Sequence, residues 1–235
     1  MKATNWEFKH RALIFGAIFG LAALLYNIDP RNVTDAAAQW LAGRLQWDPD
    51  RLTRELFFSA ALWVIAAAFM RTWASAYLRA SIVYAPAVSS ESLVADGPYR
   101  HVRNPLYFAN VLMAVGMGAL MSRTGWAVAV VVMLVFCYRL IFREEAELLA
   151  SQGANYASYR TTVPRLWPSL LPRIGASGQR PSWSAGLKAE SWYWGFAVAV
   201  TVFAATLNVG LFIAVLALSI GAFWLGSRLA RRRGA

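Results

Sequence analysis

The stretch Pro105–Glu147, PLYFANVLMAVGMGALMSRTGWAVAVVVMLVFCYRLIFREEAE, decides the architecture. It holds two apolar runs, 106–121 and 125–142, parted only by Ser122-Arg123-Thr124. Each approaches the roughly 20 residues that a helix needs to cross about 30 Å of hydrocarbon. An open strand would leave backbone groups unpaired in lipid, so both runs read as helices. A three-residue break admits only a tight antiparallel hairpin. The residues before Leu106 and those after Phe142 are therefore expected on one side of the membrane, close together.

Four more apolar runs lie outside this hairpin: 12–28, 56–70 with an extension toward 78, 192–207 and 209–227. The last two meet at Asn208 and form a second hairpin. Hydrophobic residues make up 58% of the 235-residue chain and charged residues 15%, with mean hydropathy +0.43. Soluble domains hold about 45–50% apolar and about 25% charged residues. The chain therefore reads as all-α, a polytopic membrane protein with about six transmembrane helices in hairpins. Cys137 is its only cysteine, which excludes a disulfide scaffold. With His10 and His101 it leaves too few ligands for most zinc or iron–sulfur sites, so no metal is expected. The longest stretch between apolar runs, 143–191, is too short for a doubly wound nucleotide-binding domain. Any cofactor must be held by membrane helices and short loops.

Charge gives the orientation. With the N-terminus inside, the outer loops carry Arg31, Arg44, Arg51, Arg54 and Arg123 against Asp29, Asp35, Asp48, Asp50 and Glu55. The whole net charge of +11 then falls on inner segments, the positive-inside pattern with both termini cytoplasmic. The basic excess is thus topological, and no nucleic acid is expected as a partner. Arg228, Arg231, Arg232 and Arg233 suit contact with anionic headgroups. The first run follows Lys2, Lys9 and Arg11 and lacks a clean small-x-small cleavage site, so it reads as a retained anchor. Residues 34–46 place Ala37, Trp40, Leu41 and Leu45 on one helical face, expected along the outer interface. Gly16-x-x-x-Gly20 would allow two helices to approach closely.

Two inner segments carry the polar chemistry. The first, Asp96-Gly97-Pro98-Tyr99-Arg100-His101-Val102-Arg103-Asn104-Pro105-Leu106-Tyr107, runs directly into the third span. Gly97-Pro98 makes a turn, Asn104 can act as N-cap, and Pro105 suits the first helical turn. Free N–H groups and nearby arginines favour an anionic group there. The second segment, Arg143-Glu144-Glu145-Ala146-Glu147, ends the fourth span. On a helix Glu144 and Glu147 share a face, while Glu145 points about 100° away. The hairpin brings these segments together over a cleft expected to be floored by Tyr107, Tyr138 and Phe142, a seat for a small zwitterionic ligand. The same residues admit plainer readings. Arg100, Arg103, Arg139 and Arg143 serve equally as inside-positive anchors, and Glu144, Glu145 and Glu147 as a solvated helix end with Arg143–Glu147 an i,i+4 pair. Tyr99 and Tyr107 then become interfacial aromatics, His101 a surface residue and Cys137 a packing residue.

At these residues the sequence resembles the isoprenylcysteine carboxyl methyltransferase and phospholipid methyltransferase superfamily of integral membrane enzymes. The pattern reads here as Gly97-Pro98-Tyr99, then Arg103-Asn104-Pro105-Leu106-Tyr107, then Glu144-Glu145. Gly153-Ala154-Asn155-Tyr156-Ala157-Ser158-Tyr159 follows, and then Val163-Pro164-Arg165-Leu166-Trp167-Pro168. Each piece is short; the ordered set across residues 94–168 is specific. Asn104 stands where the family usually has His, and Ala109 where Gly often follows the Tyr. A further hairpin, 192–227, follows the motif where many members end.

The resemblance implies S-adenosyl-L-methionine held at the cytoplasmic ends of the core helices, with a lipid or lipid-modified acceptor entering from the bilayer. It implies cofactor contacts from Tyr99, Arg100, His101, Arg103, Asn104, Pro105, Tyr107, Glu144, Glu145, Tyr156 and Tyr159. Arg103, Glu144 and Glu145 are the expected catalytic residues, Arg103 near the methionine carboxylate and one glutamate on the ribose hydroxyls or amino group. Three regions follow: 1–93, an N-terminal hairpin with the outer helix; 94–168, the cofactor-binding core; 169–235, a linker and C-terminal hairpin. That last hairpin would serve as a homo-oligomer contact or as a wall of the lipid entrance.

Methyl transfer from a sulfonium asks the protein mainly to align the reacting atoms and exclude water. A carboxylate acceptor needs no base; an amine would need Glu144 or Glu145 to take its proton. The shortage of bases favours an acceptor that arrives deprotonated. Two competing readings are an NADPH-dependent sterol-reductase-like enzyme and a non-enzymatic scaffold or carrier. Such reductases usually follow the motif with Gly-Glu, where this chain has Ala109-Asn110. A carrier of ions would need more charge within its spans.

Overall fold

The computed structural model describes residues 2–84 and 94–233, with side chains described outside 79–84 and 226–233. The side chains of the tail arginines and the boundary placed at residue 93 lie outside what is described. Among the described residues the chain is all-helical, with no strand and one isolated bridge pair, Asn32 with Ser122.

Helix α1 (Asn5–Lys9) starts at a capping box, in which the Thr4 hydroxyl accepts from the Glu7 N–H and the Glu7 carboxylate accepts from the Thr4 N–H. Helix α2 (Arg11–Leu24) follows and closes in a 3₁₀ turn, Leu25–Asn27. Gly16 and Gly20 have nothing close to them, so the close approach that their spacing would permit is not used. Helix α3 (Val33–Leu45) is capped by Asn32, whose side-chain oxygen accepts from the Thr34 and Asp35 N–H groups. The Asn32 amide also donates to the Ala119 and Met121 carbonyls, which ties α3 to the outer turn of the central hairpin. The buried side of α3 is Thr34 and Ala38; Trp40 and Leu45 of the expected face are exposed.

Helix α4 (Pro49–Tyr84) is far longer than the apolar run inside it. It is the spine of the molecule and packs on α3, α5 (Pro105–Gly118), α7 (Trp183–Ala189) and α8 (Ser191–Thr206). Small residues make this packing close: Ala60, Ala61, Ala67, Ala68, Ala74 and Ala76 are all buried. Helix α6 (Arg123–Thr162) begins at Ser122, whose hydroxyl accepts from the Gly125 N–H. Helix α9 (Val209–Arg233) pairs with α8 across Leu207 and Asn208.

Each of the six apolar runs is matched by a helix. By length and composition two of them can cross a membrane unaided, Pro49–Leu78 and Arg123–Thr162; the other four, Arg11–Asn27, Pro105–Gly118, Ser191–Thr206 and Val209–Leu225, are shorter. Their outward faces are apolar: Leu13, Leu21, Leu62, Val131 and Leu218 are each more than half exposed. Contiguous exposed surface of that kind suits contact with lipid rather than water.

Helix α6 does not end at Phe142 as the apolar run does. It continues through the glutamates to Gly153, where φ +53° and ψ −123° break it, and residues 154–162 resume as helix in a new direction. That conformation is open to glycine and strained for other residues. The break returns Tyr156 and Tyr159 to pack with Val163, Ala95 and Ile174 beside the start of α5.

Candidate functional site

The start of α5 and the middle of α6 meet at one end of the central hairpin. The Tyr107 hydroxyl donates to Glu144 Oε1 at 2.7 Å, and Arg103 Nε donates to Glu145 Oε1 at 3.1 Å. The two polar stretches are thus face to face, and a cavity of about 600 Å³ opens between them. Ligand sites are commonly concave, mostly apolar and about 300–1,000 Å³ in volume.

Neighbouring glutamates play different parts. Glu144 lines the cavity, and Tyr107 is its one hydrogen-bond partner among the described residues. Glu145 does not line it and is 4% exposed. It takes Arg103 on Oε1 and Arg165 on Oε2, both at 3.1 Å, with the Asn104 amide also donating to Oε1. Glu145, expected as a second catalytic carboxylate, fastens the segment that returns after Gly153 onto the start of α5. A buried carboxylate between two guanidiniums and an amide is already satisfied.

Arg103 is used in the same knot. Beyond Glu145, its guanidinium donates to the Arg160 carbonyl, and its backbone N–H donates to the Pro164 carbonyl at 2.9 Å. Its side chain borders the cavity, as expected of a site residue, while its guanidinium N–H groups are engaged by Glu145 and the Arg160 carbonyl. Asn104 occupies the N-cap position of α5 as expected, but its amide is drawn to Glu145 and the Arg165 carbonyl, and no side-chain cap bond forms. Pro105 does occupy the first turn.

Of the other expected contacts, Arg100 and His101 do not line the cavity. Arg100 Nε donates to the Ile174 carbonyl, and His101 Nδ1 lies 2.9 Å from the Ser169 carbonyl. Both face the strap that crosses residues 169–182. Asp96 anchors that strap from the other side, accepting the Ser177 hydroxyl and the N–H groups of Ser177 and Gln179. Those bonds hold the Asp96 carboxyl below its ordinary value, although burial, the largest influence on it, pushes the other way. Tyr138 and Phe142, expected in the floor, stack on each other away from the cavity. Glu147 pairs with Arg143 and is exposed.

Tyr99, Tyr156 and Tyr159 do line the cavity. Gly97 turns the chain at φ +59° against the Tyr77 ring, where a Cβ would collide. Tyr99 is buried behind that turn, and burial pushes its phenol well above the ordinary range. The Tyr159 hydroxyl donates to the Tyr99 carbonyl at 2.7 Å.

The rest of the wall comes from places that sequence reasoning passed over. Arg11, Ala12 and Phe15 come from α2, Arg71 from α4, Asn110 from α5, and Trp192 and Tyr193 from α8. Helix α2 packs on α6, and α1 just before it is tied to α6 by Arg139, which donates to both Glu7 oxygens, at 2.9 and 2.7 Å. A sequence signal for Arg71 existed: it is a lone cation in an apolar run, and such residues are usually functional. Trp192 and Tyr193 gave no such signal.

Residues 59–151 match the family model described as isoprenylcysteine carboxyl methyltransferase (ICMT) family. The resemblance read from the motifs is borne out over that stretch. The ICMT match spans α5, most of α4 and α6 through both glutamates. The chain is also similar to the cobalt-zinc-cadmium resistance protein CzcN of Cupriavidus metallidurans, 27% identical over 190 residues, 80% of this chain and 85% of that protein. To the nickel-cobalt-cadmium resistance protein NccN of Alcaligenes xylosoxydans xylosoxydans it is 28% identical over 130 residues, 55% of this chain and 58% of that protein. No solved structure matches.

Proposed function

We propose that this chain is an integral membrane methyltransferase that uses S-adenosylmethionine and acts on a lipid-like or prenylated acceptor from the bilayer, at the cytoplasmic side. The observation that carries this reading is the cavity at the Tyr107–Glu144 contact, both residues of which lie in the stretch that matches the methyltransferase family.

The donor set suits an adenosyl amino acid. Glu144 is an acceptor-only carboxylate, fitted to ribose hydroxyls or an ammonium group. Gln152 also lines the cavity, and its Oε1 is buried without a hydrogen-bond partner among the described residues, a group that calls for a ligand donor. Tyr99, Tyr156, Trp192 and Tyr193 offer aromatic faces to a cation or a purine. Bound S-adenosylmethionine would supply an electrophilic methyl group on its sulfonium sulfur.

The protein's own part is alignment and exclusion of water. Tyr107 fixes the Glu144 carboxylate by donating to one oxygen, which leaves the other for the ligand. Arg103 and Glu145 hold the returning segment so that Tyr156 and Tyr159 close the cavity from that side. With a carboxylate acceptor opposite charges cancel in the transition state and no base is needed. With an amine acceptor Glu144 is the cavity carboxylate able to take the proton.

Membranes carrying the chain, incubated with methyl-labelled S-adenosylmethionine and extracted with organic solvent, test the reading. Label should enter the lipid fraction, and Glu144→Gln should lower it at least about tenfold, the loss of one charge-assisted hydrogen bond with its alignment. No label above that of membranes lacking the chain, in lipid or in protein, would overturn it.

A further inference from the structure

Arg71 stands outside the motif and is a cation of the cavity wall fixed along one edge of its guanidinium. Its Nε donates to Glu190 Oε2 at 2.6 Å and its Nη1 to Asn110 Oδ1 at 3.0 Å. The Tyr193 ring lies under the guanidinium, 4.2 Å from centroid to Cζ, and the Tyr193 hydroxyl donates to the same Asn110 oxygen at 2.9 Å. Two donors converging on Asn110 Oδ1 set the orientation of that amide. Glu190 is held in turn by the Ser75 hydroxyl at 2.6 Å. Helices α4, α5 and α8 and the junction between α7 and α8 thus meet in one buried polar network, and Arg71, Asn110 and Tyr193 present it to the cavity.

The network leaves Arg71 Nη2 without a hydrogen bond among the described residues. The competing cations are less suited to receive an anion. Arg103 is engaged by Glu145 and the Arg160 carbonyl, and Arg11 is exposed, with Nη1 on the Phe8 carbonyl and the guanidinium over the Phe8 ring. A guanidinium locked on one edge and open on the other is preorganised for an oxyanion.

We propose that Arg71 is the cavity's anchor for a carboxylate or phosphate group, and that Glu190, from the C-terminal part of the chain, is the positioning residue that holds it there. The proposal rests on the methyltransferase reading. It gives the C-terminal hairpin a role in the site, because Glu190 immediately precedes α8. The anion has two sources, the amino-acid end of the methyl donor or an anionic head on the acceptor.

The test compares S-adenosylhomocysteine with 5′-methylthioadenosine, which lacks the amino-acid end, on the purified full chain. The variants are Arg71→Lys, which keeps the charge but loses the fork, and Arg71→Gln combined with Glu190→Gln, which leaves no buried charge unpaired. Binding of S-adenosylhomocysteine should weaken about tenfold while 5′-methylthioadenosine binding stays within about twofold, as expected for one lost charge-assisted contact. That result assigns the donor's carboxylate. Unchanged binding of both compounds, with a raised KM for label transfer to membrane lipids, assigns an anionic head on the acceptor. Glu190→Asp should restore most of either effect relative to Glu190→Gln. Equal weakening of both compounds, or no change in binding and transfer, overturns the proposal while the enzyme reading stands. Wild-type protein that binds neither compound overturns both.

Discussion

At the scale of single residues, Glu144 and Glu145 show how one step along a helix separates two roles. Glu144 faces the cavity with Tyr107 as partner, and Glu145 is buried among Arg103, Asn104 and Arg165. Glu145→Ala leaves two guanidiniums without their counter-charge, and the loss of a buried pair costs about 3–5 kcal/mol. A thermal-unfolding series should therefore show Glu145→Ala strongly destabilised and Glu144→Gln close to wild type, with the order reversed for ligand affinity. The helical spacing in the sequence already set Glu145 apart from Glu144 and Glu147. What meets it on that side was hidden, because Arg165 arrives by way of the break at Gly153. Arg71 was legible as a lone charge in an apolar run, yet its partner Glu190 lies 119 residues away, and no local pattern joins them.

At the scale of elements, the three-residue break at Ser122–Thr124 was enough to place both polar stretches at one end of a hairpin. Helix lengths were less legible. Alpha-helix α4 overruns its apolar run because Thr72, Ala74, Ser75 and Ala76 are buried by protein, α7 among it, rather than by lipid. Alpha-helix α5 stops short of its run because Ala119, Leu120 and Met121 turn the chain through 3₁₀-type bonds. The break at Gly153 supplies a sharp test. Gly153→Ala meets no neighbour but must adopt φ +53°, a strain of about 1–3 kcal/mol. It should lower the unfolding midpoint and loosen the packing of Tyr156 and Tyr159. Asp96→Asn should instead release the strap, seen as faster hydrogen exchange at the Ser177 and Gln179 amides with exchange in α5 unchanged.

At the scale of the whole molecule, two ion pairs outside the apolar runs' centres tie separate hairpins together. Arg139 holds the Glu7 carboxyl at about 2, and Arg123 holds Asp29 at about 2, each well below the ordinary carboxylate value. Folded-state values that are depressed give stability that is full above the unfolded value and is lost as pH falls through about 2. The unfolding midpoint should be level from neutral pH down to about 5 and fall in more acidic solution. Combining Glu7→Gln with Asp29→Asn should flatten that fall. The positive-inside charge distribution further predicts that reporters fused to either terminus are active in the cytoplasm and inactive outside it. The cavity beside Tyr107 and Glu144 should hold an adenosyl compound. Calorimetric titration of the purified chain with S-adenosylhomocysteine tests it most directly: saturable binding near one per chain, weakened about tenfold or more by Glu144→Gln, is the expected result. Absence of binding by the wild-type protein, or equal affinity in the variant, would contradict it.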